Sequence, residues 1–192
     1  MRILLSGPPS CGKSTQGRRL AAALGLPHVS SGDLIRAAAA RGAARDVELL
    51  RLVSDGSLAP SGAIAHMVHR RLSEDDCGSG FVLDGFPRKP MEAAFIVSTY
   101  RIDALVVLEA DEGTLLSRMR SRAAAGRADD DPAHFPRRIA AYESDTRAAQ
   151  REIARARVPV IPISAAGSAE ETEALIADAV AAFSDRRALR FA

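Results

Sequence analysis

The residues best suited to chemistry lie near the start of the chain. In Gly7-Pro8-Pro9-Ser10-Cys11-Gly12-Lys13-Ser14-Thr15, two glycines bracket four residues and a lysine and two hydroxyls follow. Glycines let successive backbone N–H groups curl about an anion without Cβ clashes. A helix opening at this point adds unpaired N–H groups and the positive end of its dipole. Lys13 can reach the β- and γ-phosphates of a triphosphate, and Ser14 or Thr15 can offer a hydroxyl to Mg²⁺. Gly7, Pro8, Ser10, Cys11, Gly12, Lys13, Ser14 and Thr15 therefore form a candidate triphosphate cradle. Of the 26 lysines and arginines only Lys13 and Lys89 are lysines, so composition alone does not explain a lysine at this position.

Three further groups carry charge at useful places. Asp84-Gly85-Phe86-Pro87-Arg88 closes an apolar run. An acidic residue at the end of a buried strand can hold the water shell of Mg²⁺, and an arginine just beyond it can meet a second phosphate. The plainer alternative is a turn with a solvated Asp and Arg. Ser31-Gly32-Asp33-Leu34-Ile35-Arg36 places an arginine one turn into a helix, either a second anion site or a solvated face. Arg118, Arg122, Arg127 and Arg138 cluster around Asp129 and Asp130. Arg118 and Arg122 share one helix face, where like charges repel. A triphosphate between them would offset that repulsion, since the guanidinium fork donates in pairs to phosphate. A salt-bridged, arginine-rich surface is the alternative.

The elements that must position these groups follow from periodicity. Apolar runs predict strands near 2–6, 28–30, 80–84, 104–109 and 158–163. Helices are expected at 16–24, from 31 to about 38, at 46–53, from 60 to about 72, at 90–99, 111–122, 137–156 and 170–183. Ala104–Leu108, aliphatic without a polar alternate, reads as a strand buried on both faces. Alternating strands and helices predict an α/β fold: a five-stranded parallel sheet with helices on both faces. Two inserts break the alternation, one from about 31 to 73 and a smaller one around 123–135. Pro136 inside a helix would remove a hydrogen bond; a helix that instead started there would put His134-Phe135 in a hinge.

Composition fits one globular domain: 192 residues, 47% hydrophobic, net charge +2. That charge offers no reason to expect nucleic acid or a membrane surface as partner. Cys11 and Cys77 form neither a metal-ligand pattern nor a disulfide framework, which suits a reducing compartment such as the cytoplasm. The first residues already read as a strand, with no signal-peptide core, and no run approaches the ~18 apolar residues of a membrane span.

Four motifs in order resemble the adenylate kinase family of nucleoside monophosphate kinases. They are Gly7 to Gln16, Ser30-Ser31-Gly32-Asp33-Leu34-Ile35-Arg36, Gly80 to Arg88, and Gly126-Arg127-Ala128-Asp129-Asp130. The resemblance implies a P-loop NTPase-type core at 1–30, 61–122 and 136–192. It also implies a monophosphate-binding insert at 31–60 and a short lid at 123–135, without the cysteines that hold zinc in longer lids. It implies Mg²⁺-dependent transfer from ATP to AMP giving two ADP, by a monomer. Lys13 would bridge the transferring phosphates. Arg36 and Arg88 would hold the acceptor phosphate. Arg122, Arg127 and Arg138 would close over the transferred group, excluding water. Arg118 would pack near the donor adenine, and Asp33 and Asp84 would order water about Mg²⁺. Ser31, Ala59, Gly85 and Glu92 complete the implied acceptor site.

Three departures stand out. Ser10 and Ser14 replace usual glycines, with Thr15 favoured by the resemblance as the Mg²⁺ hydroxyl. Glu92 stands where a glutamine usually reads adenine. An ionised Glu accepts only, which suits guanine N1–H and amino groups better than adenine N1. Alternatively Pro90, one position early, turns Glu92 to water. Kinases for GMP, CMP or UMP therefore stand as an alternative, and a nucleotide-binding protein that has lost efficient transfer stands behind them.

Overall fold

A computed structural model describes residues 1–54, 61–124 and 131–188. The aliphatic runs form five strands: β1 (Arg2–Ser6), β2 (His28–Ser30), β3 (Phe81–Asp84), β4 (Ala104–Glu109) and β5 (Val160–Ser164). They pair in parallel, as the sequence pattern predicts, and the strand order is β2-β3-β1-β4-β5. The helices are α1 (Lys13–Leu24), α2 (Ser31–Ala39), α3 (Ala44–Ser54), α4 (Ser61–Leu72), α5 (Pro90–Thr99), α6 (Glu112–Ala124), α7 (Phe135–Ala141), α8 (Arg147–Arg155) and α9 (Ala169–Ala188).

Strand alternation sorts the core into two layers. Leu4, Leu83, Leu105 and Val107 face one side, packing with Ile35, Val68, Ile96 and Ile153. Ile3, Leu5, Val82, Val106 and Leu108 face the other, with Leu20, Met119, Ile176 and Val180. Both faces are covered, which is why β1, β3 and β4 read as nearly continuous apolar runs. The chain leaves β1 for β2 on one side and later reaches β4 on the other. This reversal opens a crevice at the carboxyl ends of the central strands, where ligands of open α/β sheets bind.

Among the differences from expectation, three have a visible physical reason. Helix α1 starts at Lys13 rather than Gln16, because Gly12 adopts φ 95° and turns the chain straight from the loop into the helix. Strand β5 starts at Val160 rather than Val158. Arg157, at φ 60°, folds the chain back so that the Val158 N–H donates to the Ile153 carbonyl at 3.4 Å. The single helix expected over 137–156 is broken. A 3-10 turn at Pro132–His134 leads into α7, whose second residue is Pro136, so the missing N–H falls where no intrahelical bond is due. A π turn at Tyr142–Thr146 then separates α7 from α8 and turns Tyr142 and Thr146 inward. Phe135 is buried in the core. Among the described residues no helix is long and apolar enough to cross a membrane.

Leu83, fully buried in β3, holds Asp84 at the sheet's working edge. Leu83→Ala is expected to lower unfolding free energy by about 2–5 kcal/mol, measured by urea denaturation.

Candidate functional site

The loop between β1 and α1 wraps the ammonium group of Lys13. Nζ donates to the carbonyls of Gly7 at 2.8 Å and Pro8 at 2.7 Å, and lies 3.6 Å from Cys11 Sγ. Burial lowers the Lys13 pKa, and Arg88 and Arg138 push the same way against Cys11 and Asp84. Ser10 sits at φ 62°, the left-handed region that makes glycine the usual choice there. A non-glycine residue in that region costs roughly 1–2 kcal/mol. Its hydroxyl is buried with no hydrogen-bond partner among the described residues.

The loop opens onto a cavity of about 670 Å³. Gly7, Ser10, Cys11, Gly12, Lys13, Ser14 and Thr15 line its floor, together with Asp84, Gly85 and Arg88 from the end of β3. Ile35, Arg36 and Leu50 line one wall, from α2 and α3. Arg118, Arg122 and Arg138 line another, from α6 and α7. The structure thus gathers arginines from three separate stretches around one space. Pro8 contributes its carbonyl to Lys13 but does not line the cavity, and Ser31, Asp33 and Glu92 do not line it either. Asp33 is exposed and pairs with Arg36. Ala59 and Arg127 lie outside the described residues.

At the end of β3, Asp84 is almost fully buried and accepts a 2.7 Å hydrogen bond from His28 Nε2. Burial opposes its ionisation. Hydrogen bonds from His28 and Ser30 and the charge of Lys13 more than offset that, and hold its carboxyl below the usual range. Gly85, at φ 75°, is required twice over: a Cβ there would come within 2.5 Å of Ser31 Oγ. Arg88 Nε donates to the Gly85 carbonyl at 2.9 Å. Burial lowers the Arg88 pKa, and the neighbouring charge of Arg138 adds to the effect.

Glu92 neither faces water nor reaches the cavity. It is 4% exposed, and Oε2 accepts from the backbone N–H of Arg88 at 2.8 Å and of Lys89 at 3.3 Å. By accepting from the Lys89 N–H it supplies the carboxylate half of a capping arrangement at the start of α5. Pro90 at the first helical position sets this start, so Glu92 becomes the third residue and reaches back to the cap. The expected solvent exposure of Glu92 is thereby corrected, and its Oε2 is engaged at the start of α5. Burial raises its pKa, partly countered by those backbone bonds.

Arg118 answers the repulsion foreseen on α6. Its guanidinium donates to the carbonyls of Ala165 at 2.7 Å and Gly167 at 2.6 Å, tying α6 to the loop that follows β5. Sequence reasoning missed Gln16, whose amide donates to the Ala169 carbonyl at 2.7 Å and locks α1 to the start of α9. It also missed Tyr142 and Thr146, which enter the cavity only because the π turn breaks helical spacing. His28 was legible only as a strand residue.

A glycine loop entering a helix, on a parallel sheet of this order, with a basic cavity at the strand ends, defines a P-loop phosphotransferase of the nucleoside monophosphate kinase class. A family model described as adenylate kinase matches residues 5–150. An adenylate kinase of Corynebacterium glutamicum (strain R) is 38% identical over 151 residues, 76% of this chain and 82% of the relative. One of Corynebacterium aurimucosum is 36% identical over 176 residues, 89% of this chain and 94% of the relative. One of Methylobacterium nodulans is 37% identical over 158 residues, 76% and 79% of the two chains. The chain belongs to the adenylate kinase family.

Two outcomes follow from this geometry. Glu92→Ala should cost about 1 kcal/mol of stability, the worth of a helix cap. It should leave the ratio of kcat/KM for AMP over GMP within about threefold; a tenfold change, about 1.4 kcal/mol, would place Glu92 on the acceptor base. Asp84, with its folded pKa depressed, contributes stability present above the unfolded carboxyl pKa of ~3.9 and lost as pH falls through the lower folded value. The difference in unfolding free energy between wild type and Asp84→Asn should therefore shrink below about pH 4 in acid titrations of stability.

Proposed function

We propose that the protein transfers the γ-phosphoryl group of ATP to AMP, giving two ADP, with Mg²⁺ bound to the nucleotide. The observation that carries this reading is the convergence of Lys13, Arg88, Arg122 and Arg138 on one cavity, with the P-loop at one part and Arg36 at another. The P-loop amides, Lys13 and Arg118 take the donor. Arg36 and Arg88 take the acceptor phosphate, beside the apolar surface of Ile35 and Leu50. Insert 31–60 and lid 123–135 are read as the segments that close on the two nucleotides, with Ala59 on the acceptor side and Arg127 on the transferred group. The reading also takes the protein to be a cytoplasmic monomer, supported by the family resemblance and by two cysteines that carry no disulfide.

Mg²⁺ fits the residues present. Asp84, Ser14 and Thr15 are hard oxygen donors on one cavity floor, and Asp84 is held ionised. Among the described residues no group of three or more His, Cys, Asp or Glu could cage a metal, which suits an ion that keeps its water and takes phosphate oxygens. When bound, the ion neutralises charge on the transferring phosphates. Asp33 is assigned an outer role in ordering water.

The chain's own contribution is placement and charge. Phosphoryl transfer requires the attacking and leaving oxygens in line, with charge spread over the equatorial oxygens. Lys13 is fixed by two carbonyls and Arg88 by one, so each presents its charge without reorganising. Neither has to act as a base, and no covalent intermediate on the protein is required. With Oε2 of Glu92 engaged at the start of α5, one ground for a guanine acceptor weakens, which supports the AMP reading.

Lys13→Ala or Arg88→Ala should lower kcat/KM at least a hundredfold, in line with removal of one charge-stabilising donor, with the circular dichroism spectrum unchanged. A coupled assay with ATP and each of AMP, GMP, CMP and UMP should show AMP preferred by a large factor. Comparable rates with the other acceptors would reject the AMP assignment while leaving the phosphotransferase intact.

A further inference from the structure

We propose that His28 is a positioning residue: it holds the Asp84 carboxylate in place for the Mg²⁺ of the nucleotide, and Gly17 is the opening that admits its ring. This rests on the phosphotransferase reading above. Three elements converge to build the arrangement. His28 and Ser30 stand two apart on β2, on the same face of the strand. Ser30 pairs with Asp84 in the parallel register. From that face both side chains hydrogen-bond to the carboxylate, His28 Nε2 at 2.7 Å to Oδ2. Ser30 Oγ in turn accepts from the Asp33 N–H at 3.4 Å, the cap of α2. The carboxylate is thus tied through β2 to the helix that carries Arg36.

Helix α1 roofs the pair. Gly17 lies within α1, where glycine costs about 1 kcal/mol relative to alanine. The surroundings supply the reason for it. A Cβ at residue 17 would come within 2.6 Å of His28 Nε2, 2.8 Å of its Cδ2 and 3.4 Å of Asp84 Oδ2. Side-chain exposures of 12% for His28 and 4% for Asp84 leave little water to replace the bond. A carboxylate that meets metal-bound water must keep one rotation about its terminal bond, because that torsion is otherwise broad. A rigid ring N–H on Oδ2 sets the rotation, and the carboxylate keeps lone pairs for the ion's water. Partners of a metal's direct ligands are worth about 10–100-fold in affinity, and a partner acting through a water-mediated carboxylate falls at the low end.

The alternative is a buried histidine that merely satisfies its own hydrogen bond. Mn²⁺ bound to ATP, whose enhancement of water proton relaxation rises when the complex is held on the protein, is the probe that separates the two. The Mn²⁺-ATP complex is titrated with the full chain against a protein-free control, and steady-state rates are measured against Mg²⁺ concentration. His28→Leu is expected to weaken binding of the Mn²⁺-ATP complex about tenfold. It should also lower kcat at limiting Mg²⁺, with the KM for AMP within about twofold. His28→Gln, whose amide N–H can donate to the same oxygen, should recover most of the affinity. Gly17→Ala should reproduce the loss, and adding it to His28→Leu should cost little more, since both remove one contact. Thermal melts run alongside keep losses from unfolding separate.

Wild-type affinity for Mn²⁺-ATP in His28→Leu overturns the proposal, as does a His28→Gln variant no better than His28→Leu. So does a loss that follows the unfolded fraction alone. A wild-type protein that binds no Mn²⁺-ATP overturns the phosphotransferase reading instead, and this proposal with it.

Discussion

Lys13, Arg88 and Arg138 bring positive charge into one partly buried space, where Arg138 opposes the charge of Lys13 and Arg88, and Arg88 that of Lys13. Burial lowers the pKa of both Lys13 and Arg88, and the mutual repulsion of these cations adds to the effect. Carbonyl dipoles and Asp84 soften the cost but do not remove it: Gly7, Pro8 and Gly85 each accept from one of these side chains. Such an arrangement is unfavourable until a polyphosphate enters, and strongly favourable afterwards, because the field acts in a space that excludes much of the water. The stability given up by the empty protein reappears as binding and as stabilisation of charge in transfer.

The sheet exists in this form to hold that charge. Two-sided burial makes β1, β3 and β4 rigid, so their carboxyl ends deliver the P-loop and Asp84 to one edge. The remaining cations arrive on helices whose other faces pack into the core: Met119 is buried on the helix that carries Arg118 and Arg122, and Ile35 on the one that carries Arg36. Local irregularities sit where the cavity needs them. The left-handed Ser10 bends the loop, Gly85 lets the start of α2 approach, and the π turn rotates Tyr142 and Thr146 to the lining. Each departs from regular geometry at some cost, and such departures are expected at functional sites.

Most of this architecture was legible in the residues. The glycine loop, the five apolar runs and the arginines spaced one helical turn apart are local patterns, and local patterns survive tertiary packing. What stayed hidden depended on contact between distant segments. His28 looked like any residue of a three-residue strand, because only the parallel register puts Asp84 beside it. Glu92 read either as a base reader or as a residue turned to water by Pro90, because neither pattern shows its carboxylate folding back onto the Arg88 and Lys89 N–H groups. The break between α7 and α8 was hidden as well: alanine, arginine and glutamate favour helix throughout, and the extra residue in the turn at Tyr142–Thr146 answers to packing rather than propensity.

The central claim is that one continuous basic cavity seats donor and acceptor together, so a ligand carrying both should gain from each half. Calorimetric titration of the purified protein with two adenosines joined through a chain of five phosphates tests this most directly. The account predicts one ligand per chain, bound at least a hundredfold more tightly than ATP or AMP alone, the gain expected when a second binding event becomes intramolecular. Binding no tighter than ATP, or two ligands per chain, would contradict it.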